Sequence, residues 1–450
     1  MIFKRKIYDK MLEWKELSHG QTALLVEGAR RIGKSTIVES FAKEEYEDYI
    51  IIDFAKEGKE IKQIFEDNIA DLDTFFRNLF LLKGKVLVER KSVIIFDEVQ
   101  MFPIARQAIK YLVQDGRFDY IETGSLISIK KNVKNILIPS EEYKVKMYPM
   151  DFEEFLWAKG DMITIPTIKD AYDKRKALGD TIHRKVMQTF RTYMVVGGMP
   201  QAVKAFVEGK SYKEIDFVKR NILSLYEDDL KKYDEDNREK ASVIFKTIPE
   251  QLGNHNSHFK FSMVDKNARY KNYVDAVSFV AESMMGNECI HVTAPEVSME
   301  AYADRSHFKL YMGDTGLLIT QIMKNSEETT DDLYKAIIFD KLGINFGMII
   351  ENMVAQMLRA NGYDLYFHEF MYGVEEMTKE KKYEIDFLLV RKRKICPIEV
   401  KSSSYRSHKS FDMFCQKYPI KVEDKVVVYM KDLKYEDGIM YMPLYMTVCL

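Results

Sequence analysis

The stretch "LLVEGARRIGKST", residues 24–36, decides how this chain begins to fold. An apolar run ends at Gly28, and Gly33, Lys34, Ser35 and Thr36 follow across a bend. Gly28, Ala29, Arg30, Arg31, Ile32, Gly33, Lys34 and Ser35 fit the spacing G-x-x-x-x-G-K-[ST]. A strand pattern precedes it, and a helical one, "STIVESFAKEE", follows. Such a loop turns its backbone N–H groups inward at the positive end of the next helix, which makes a cradle for phosphate oxygens. Gly33 permits the bend, Lys34 is placed to reach β- and γ-phosphates, and Ser35 to ligate Mg²⁺. Gly28 through Thr36 are therefore the expected nucleotide-binding residues. A chance glycine-rich turn is the alternative; strand, loop and helix in series argue against it.

A second motif tests the first. "VIIFDE" places Asp97 and Glu98 at the end of another apolar strand, at the same sheet edge as the loop. Asp97 is the expected Mg²⁺ holder, and Glu98 the general base for an attacking water. Ser125, in "ETGS", ends a further strand, where its hydroxyl could meet a γ-phosphate; a Gly-Ser turn explains it equally well.

Around these motifs, five short apolar runs at 22–28, 49–54, 92–98, 120–125 and 143–150 alternate with helical patterns such as "DLDTFFRNLFLL" and "IARQAIKYLV". That alternation predicts a mostly parallel sheet covered on both faces. An amphipathic helix opens the chain, with Ile7, Met11, Trp14 and Leu17 on one face. From "MDFEEFLWAKG" to about residue 240 the period is helical, broken at "VVGGMPQAV". Two more helical stretches and a strand pair, "CIHVTAP" and "HFKLYMGDTGLL", predict a winged-helix-like module. The remainder reads helix, strands, helix, strand, a compact α/β unit. The expected organisation is a nucleotide-binding domain over 1–150, a helical lid over 151–235, the winged-helix-like module over 236–325 and a final α/β domain over 326–450.

With 450 residues, of which 46% are apolar and 31% charged, the composition is that of a globular protein with more than one core. A net charge of −2 gives no overall basic surface for nucleic acid, though local patches are allowed. The four cysteines, Cys289, Cys396, Cys415 and Cys449, are too scattered for a zinc or disulfide framework. No signal peptide or membrane-spanning run is read, so the expected location is the cytoplasm and no membrane partner is expected. His255 and His258 lie close in sequence, but without a second ligand set they read as a surface loop.

The last domain carries its own chemistry in "EIDFLLVRKRKICPIEVKSS". Side chains alternate along a strand, so Glu399 and Lys401 share a face, as do Glu384 and Asp386 on the strand before. With "RKRK" (391–394) as the turn, hairpin pairing brings Asp386 and Glu399 together with Lys401 beside them. Glu351, near the start of an upstream helix, offers a fourth group. Two carboxylates of this kind, Asp386 and Glu399, suit Mg²⁺, and a metal there activates water against a phosphodiester. A solvated hairpin with cross-strand ion pairs is the plain alternative.

Taken together, "GARRIGKST", "IIFDEVQ", "ETGS", "YPMDFEEFL", "GGMP", "FKLYMGDTGLL" and "EIDF…IEVK" resemble a prokaryotic branch of the AAA+ ATPases that joins the ATPase module to a C-terminal domain of unknown function. The resemblance implies a P-loop NTPase sheet with a helical lid, ATP and Mg²⁺ as cofactors, and catalytic roles for Lys34, Glu98 and Ser125. Gly198 and Pro200 resemble the G-x-P element of STAND-type signalling ATPases, which lies against bound nucleotide; a Gly-Pro turn between helices is the local alternative. The order Glu351, Asp386, Glu399, Lys401 resembles the active set of PD-(D/E)XK nucleases, with a restriction-endonuclease-like fold, although Ile385 stands where that motif writes proline. One departure concerns the ATPase motif: between Ser125 and Tyr148 there is no arginine to serve as a finger for a neighbouring subunit. The leading expectation is thus an ATP-hydrolysing switch coupled to a nuclease-like domain, with DNA as its partner. The alternative is a signalling or scaffold ATPase whose last domain is inactive and holds a protein partner or a second copy.

Overall fold

Ala23–Glu27 (β1) is buried at every residue, as a strand covered on both faces must be. The computed structural model describes residues 2–124, 140–233, 239–254, 258–325, 330–339, 347–373, 381–402, 408–419, 421–422 and 424–450. They divide into two units, Met1–Tyr148 with Glu282–Met284, and Pro149–Ala281 with Met285–Leu450.

In the first unit β1 joins Asp48–Asp53 (β2), Ser92–Asp97 (β3), Asp119–Gly124 (β4) and Glu142–Lys146 (β5) in the order β2-β3-β4-β1-β5. Every pairing is parallel. The helices are Ile7–Ser18 (α1), Lys34–Glu45 (α2), Lys59–Asn68 (α3), Leu72–Lys83 (α4) and Pro103–Asp115 (α5). Asp71 caps α4 through the Thr74 N–H at 3.2 Å, and Gly84 closes it in the left-handed region. On α1, Ile7, Met11 and Trp14 are buried, whereas Leu17, expected on the same face, is exposed in the last turn. A packed aromatic set including Phe54, Phe65, Phe96 and Phe102 fills one side of the sheet, with ring centroids 5.4–5.9 Å apart. The strand order has one consequence for function: β4 lies between β1 and β3, so the carboxyl ends of these three strands meet at one edge.

The second unit opens with Phe152–Ala158 (α6), whose start is fixed by a reciprocal capping box between Asp151 and Glu154. Thr164–Asp173 (α7), Asp180–Val196 (α8), Pro200–Val207 (α9), Tyr212–Tyr233 (α10), Lys240–Gly253 (α11) and Val274–Glu282 (α12) follow. Then come Gly286–Val292 (β6), Ala303–Met312 (β7), Thr315–Ile322 (α13), Thr330–Ile338 (α14) and Gly347–Ala360 (α15). The chain ends with Leu365–Tyr372 (β8), Lys381–Arg391 (β9), Lys394–Val400 (β10), Lys409–Lys417 (α16), Val426–Tyr429 (β11), Lys434–Glu436 (β12) and Ile439–Pro443 (β13).

These strands form a single mixed sheet in the order β12-β13-β11-β10-β9-β8-β6-β7. Here the structure departs from the sequence reading. The β6–β7 ribbon, expected as the wing of a separate winged-helix module, is the continuation of the C-terminal sheet. β6 pairs in parallel with β8 through Cys289–Leu365, Ile290–Tyr366 and His291–Phe367. The physical reason is burial: Cys289, Val292, Phe308, Leu310, Tyr311 and Met312 are all buried, which an isolated wing could not achieve.

Candidate functional site

In the first unit the loop after β1 behaves as a built cradle. A Cβ on Gly28 would collide with the Ile32 side chain and come within 2.5 Å of the Met147 carbonyl oxygen, so only glycine fits there. Gly33 sits at φ 93°, a left-handed conformation that starts α2, and Arg31 at φ 68° bends the loop before it. Arg5, buried beneath, donates to the carbonyls of Ile32 at 2.9 Å and Tyr148 at 2.7 Å. Ala29 and Ile32 are buried, Arg30 is half-buried, and Ser35 and Thr36 are exposed on the first turn of α2.

The Lys34 ammonium donates to the Gly28 carbonyl at 3.0 Å and the Ala29 carbonyl at 2.9 Å. Burial pushes this amine down to about 8, with the Glu98 and Asp97 carboxylates opposing the shift. Ser35 Oγ donates to Asp97 Oδ1 at 2.8 Å, and the Thr123 hydroxyl donates to the same oxygen. Glu98 lies beside them at φ 54° and ψ 44°, an uncommon left-handed conformation for a glutamate, and accepts from Gln100 Nε2. The structure therefore gathers Lys34, Ser35, Asp97, Glu98 and Thr123 at the carboxyl ends of β1, β3 and β4. Ser125 lies outside the described residues. Arg106 is nearly fully buried and spends its guanidinium on Glu142 in two 2.8 Å bonds, within the same subunit.

Gly198 and Pro200 belong to the second unit. The Gly198 N–H donates to the buried Asp314 carboxylate at 2.6 Å, and its carbonyl accepts from the Met150 N–H at 2.7 Å. Pro200 opens α9 at its first position, where a missing N–H costs nothing.

The second unit holds an acidic cluster on one face of its sheet. β9 and β10 form a hairpin in which Arg391 pairs with Lys394, and Lys392 and Arg393 turn through φ 49° and 64°. One step past the Ile398–Phe387 pair, the Val400 N–H donates to Asp386 Oδ2 at 2.8 Å. Lys401 Nζ lies 2.6 Å from Glu399 Oε1, while Glu399 Oε2 is buried with no hydrogen-bond partner. Glu351 is delivered by α15. Its neighbour Asn352 is fully buried, accepts from the Met312 N–H at 2.7 Å and donates to Thr315 Oγ1 at 2.9 Å, which locks the helix to the end of β7.

Two β7 residues complete the cluster. Lys309 Nζ lies 2.6 Å from Glu384 Oε1 and 3.1 Å from Glu351 Oε1, and the Tyr311 hydroxyl donates to Glu351. Burial, then the Glu399 and Glu351 carboxylates, hold Asp386 well above the usual carboxylate range against the pull of Lys309. Burial raises Glu399 against Lys401, and raises Glu384 against Lys309. For Lys309, burial opposes the charge, but Glu351, Glu384 and Asp386 outweigh it and raise the ammonium well above its ordinary value. Crowded carboxylates of this kind ask for positive charge.

Lys309, Tyr311 and Thr123 were not expected at these sites. The signal was present for the first two: in "HFKLYM" Lys309 and Tyr311 alternate onto one face, opposite the apolar Phe308, Leu310 and Met312.

Comparison with known families matches residues 20–156 to an AAA domain. Residues 20–156 form a P-loop ATPase domain of the AAA type. The chain is thus an ATPase by the family of its first unit and by the loop, lysine and paired acids found there. Residues 187–328 and 346–446 match two domains of unknown function (DUF8612 and DUF4143). No curated protein matches the chain. Among solved structures it is similar to the Walker-type ATPase PABY2304 of Pyrococcus abyssi, at 14% identity and a TM-score of 0.41, covering 71% of this chain and 96% of that one. It is also similar to protein VC1899 from Vibrio cholerae, at 9% identity and a TM-score of 0.19, covering 95% of both chains. Scores this low add nothing to the fold assignment. Among the described residues no helix is long and apolar enough to cross a membrane.

Proposed function

We propose that the protein is an ATP-driven switch whose second unit is a metal-dependent nuclease acting on DNA. The observation that carries this reading is the placement of Asp386 in the field of Glu399 and Glu351, with Lys401 on Glu399 and one oxygen of Glu399 buried and unpartnered. An orphaned carboxylate oxygen among mutually repelling acids fits a divalent cation. Asp386 and Glu399 would hold Mg²⁺, which when bound supplies Lewis acidity toward a scissile phosphate. Lys401, held by Glu399, is placed to orient water or neutralise charge that develops on phosphate. Lys309 and Tyr311 fix Glu351 in place.

In the first unit, Gly28 to Thr36 bind the triphosphate through backbone N–H groups, and Lys34 turns from the loop carbonyls to the phosphates. Ser35 and Asp97 would hold the nucleotide's Mg²⁺, and Thr123 orients Asp97. Glu98 takes the proton of the attacking water, with Gln100 fixing its carboxylate. Gly198 and Pro200 are proposed as the element of the second unit that responds to nucleotide state. With no arginine between Ser125 and Tyr148, slow switch-like turnover fits better than a processive ring motor. The protein is proposed to act in the cytoplasm.

The test is cleavage of linear, branched and single-stranded DNA with Mg²⁺ or Mn²⁺, comparing wild type with Asp386→Ala. Metal-dependent cleavage lost in the variant supports the reading, and intact DNA under every condition refutes it. One observation favours a second reading: Lys309 already supplies an internal cation to Glu351 and Glu384. On that reading the cluster is a sealed ion network and the unit binds a protein partner or a second copy, so wild type cuts nothing.

A further inference from the structure

Beside the acidic cluster, on the same sheet, lies a group of imidazoles that neither proposed reaction uses. Donor atoms of His258, His307 and Glu369 all lie within 4.8 Å of one another, as do those of His291, Asp304 and His307. The His307 ring centroid is 4.3 Å from that of His258 and 4.7 Å from that of His291. His307 Nε2 is 3.2 Å from Glu369 Oε2, whose other oxygen faces Lys382 at 2.9 Å. Both ring nitrogens of His291 and Nε2 of His307 are buried without a hydrogen bond of good geometry.

Buried ring nitrogens without a well-aligned hydrogen bond cost free energy, which a bound ion would recover. Neutral imidazole is the form that ligates metal. Phe367 packs against His291 and His307 at 5.3 and 5.6 Å, an apolar wall that strengthens ligation. Two nitrogens and a carboxylate oxygen suit a borderline-soft divalent ion, not Mg²⁺ or Ca²⁺. With metal–nitrogen bonds of about 2.0 Å, tetrahedral donors stand about 3.3 Å apart, so the donor atoms need to close by at most about 1.5 Å.

We propose that His258, His307 and Glu369, flanked by His291 and Asp304, bind one divalent transition-metal ion of the zinc class. Lys382 is more than half exposed and yields Glu369 when the ion enters. The ion ties the segment at His258, anchored by the Phe259 N–H on the Phe308 carbonyl at 2.7 Å, to β7 and β8. It also stands next to the acidic cluster, because Glu369 pairs in register with Glu384.

The test uses the full chain, stripped with chelator and titrated with Co²⁺, whose visible bands report tetrahedral imidazole coordination, then with competing Zn²⁺. One equivalent of tetrahedral Co²⁺, displaced by Zn²⁺, is expected. His307→Ala and His258→Gln should each weaken binding by at least about 100-fold, since loss of even an outer partner costs up to that. Asp386→Asn should leave the signal unchanged, so this result stands apart from the fate of the nuclease reading. No tetrahedral band, a band that survives both histidine variants, or one lost with Asp386→Asn overturns the proposal. Should His307→Ala fail to fold, His258→Gln at the partly exposed edge decides the matter.

Discussion

Replacing Lys309 with methionine tests how the acidic cluster is held together. The side chain is only 8% exposed and its ammonium serves Glu384 at 2.6 Å and Glu351 at 3.1 Å. Methionine keeps most of the volume and removes the charge, which leaves two carboxylates without their cation. Breaking a buried ion pair from one side costs about 3–5 kcal/mol. In a unit of this size about 2 °C of midpoint shift accompanies each kcal/mol, so the unfolding midpoint of the second unit should fall by about 6–10 °C at pH 8. The deficit must also depend on pH. Without Lys309 the folded-state pKa of Glu384, already raised by burial against the pull of Lys309, rises further above its unfolded value. Above that value the folded chain then binds more protons than the unfolded one, so stability falls as pH rises. Going from pH 8 toward pH 5, protonation restores up to about 1.4 kcal/mol per pH unit for each carboxylate that titrates in that range. Scanning calorimetry at pH 5, 6, 7 and 8 on both proteins reads this directly. A midpoint within 1–2 °C of wild type at pH 8, or a deficit that stays constant with pH, would falsify the electrostatic account of the cluster.

Three further outcomes follow from the first unit. Glu98→Gln should bind ATP as wild type does yet lose about 10²–10⁴-fold in turnover, the usual worth of a general base; unchanged phosphate release would remove Glu98 from that role. Lys34 titrates near 8 when the cradle holds no nucleotide, and bound phosphates raise it. ATP affinity measured by calorimetry should therefore be flat below pH 8 and fall by up to about tenfold per pH unit above it, and a flat profile to pH 10 would refute the assignment. Thr123→Val removes one donor from Asp97. A hydrogen bond to a charged group is worth about 1.5–3 kcal/mol, so the Mg²⁺ concentration for half-maximal turnover should rise roughly tenfold or more, and no change would place Thr123 outside the site.

How much of this was legible in the sequence follows from how local the chemistry is. The loop from Gly28 to Thr36 is contiguous, and β1 and α2 flank it, so motif and fold could be read together. Asp97 and Glu98 end a strand whose apolar run is unmistakable. The Asp386–Glu399 hairpin was legible because side-chain alternation and a two-residue turn set its register. Thr123 was not, because it meets Asp97 only through the insertion of β4 between β1 and β3, a non-local fact. Lys309 and Tyr311 were missed for a related reason. Their ribbon has the look of a hairpin closed on itself, and only the pairing of β6 with β8 brings it to Glu351. His258 read as a loop residue because His307 and Glu369, its neighbours in space, lie on strands far along the chain.

The most direct test of the central claim, that nucleotide state in the first unit governs catalysis in the second, is the cleavage rate of a labelled DNA by the Glu98→Gln protein held in ATP, beside wild type in ADP. Coupling between sites of this kind is worth about 1–3 kcal/mol, so the two rates should differ by at least about fivefold. Equal rates, with cleavage clearly present in both, would contradict the account.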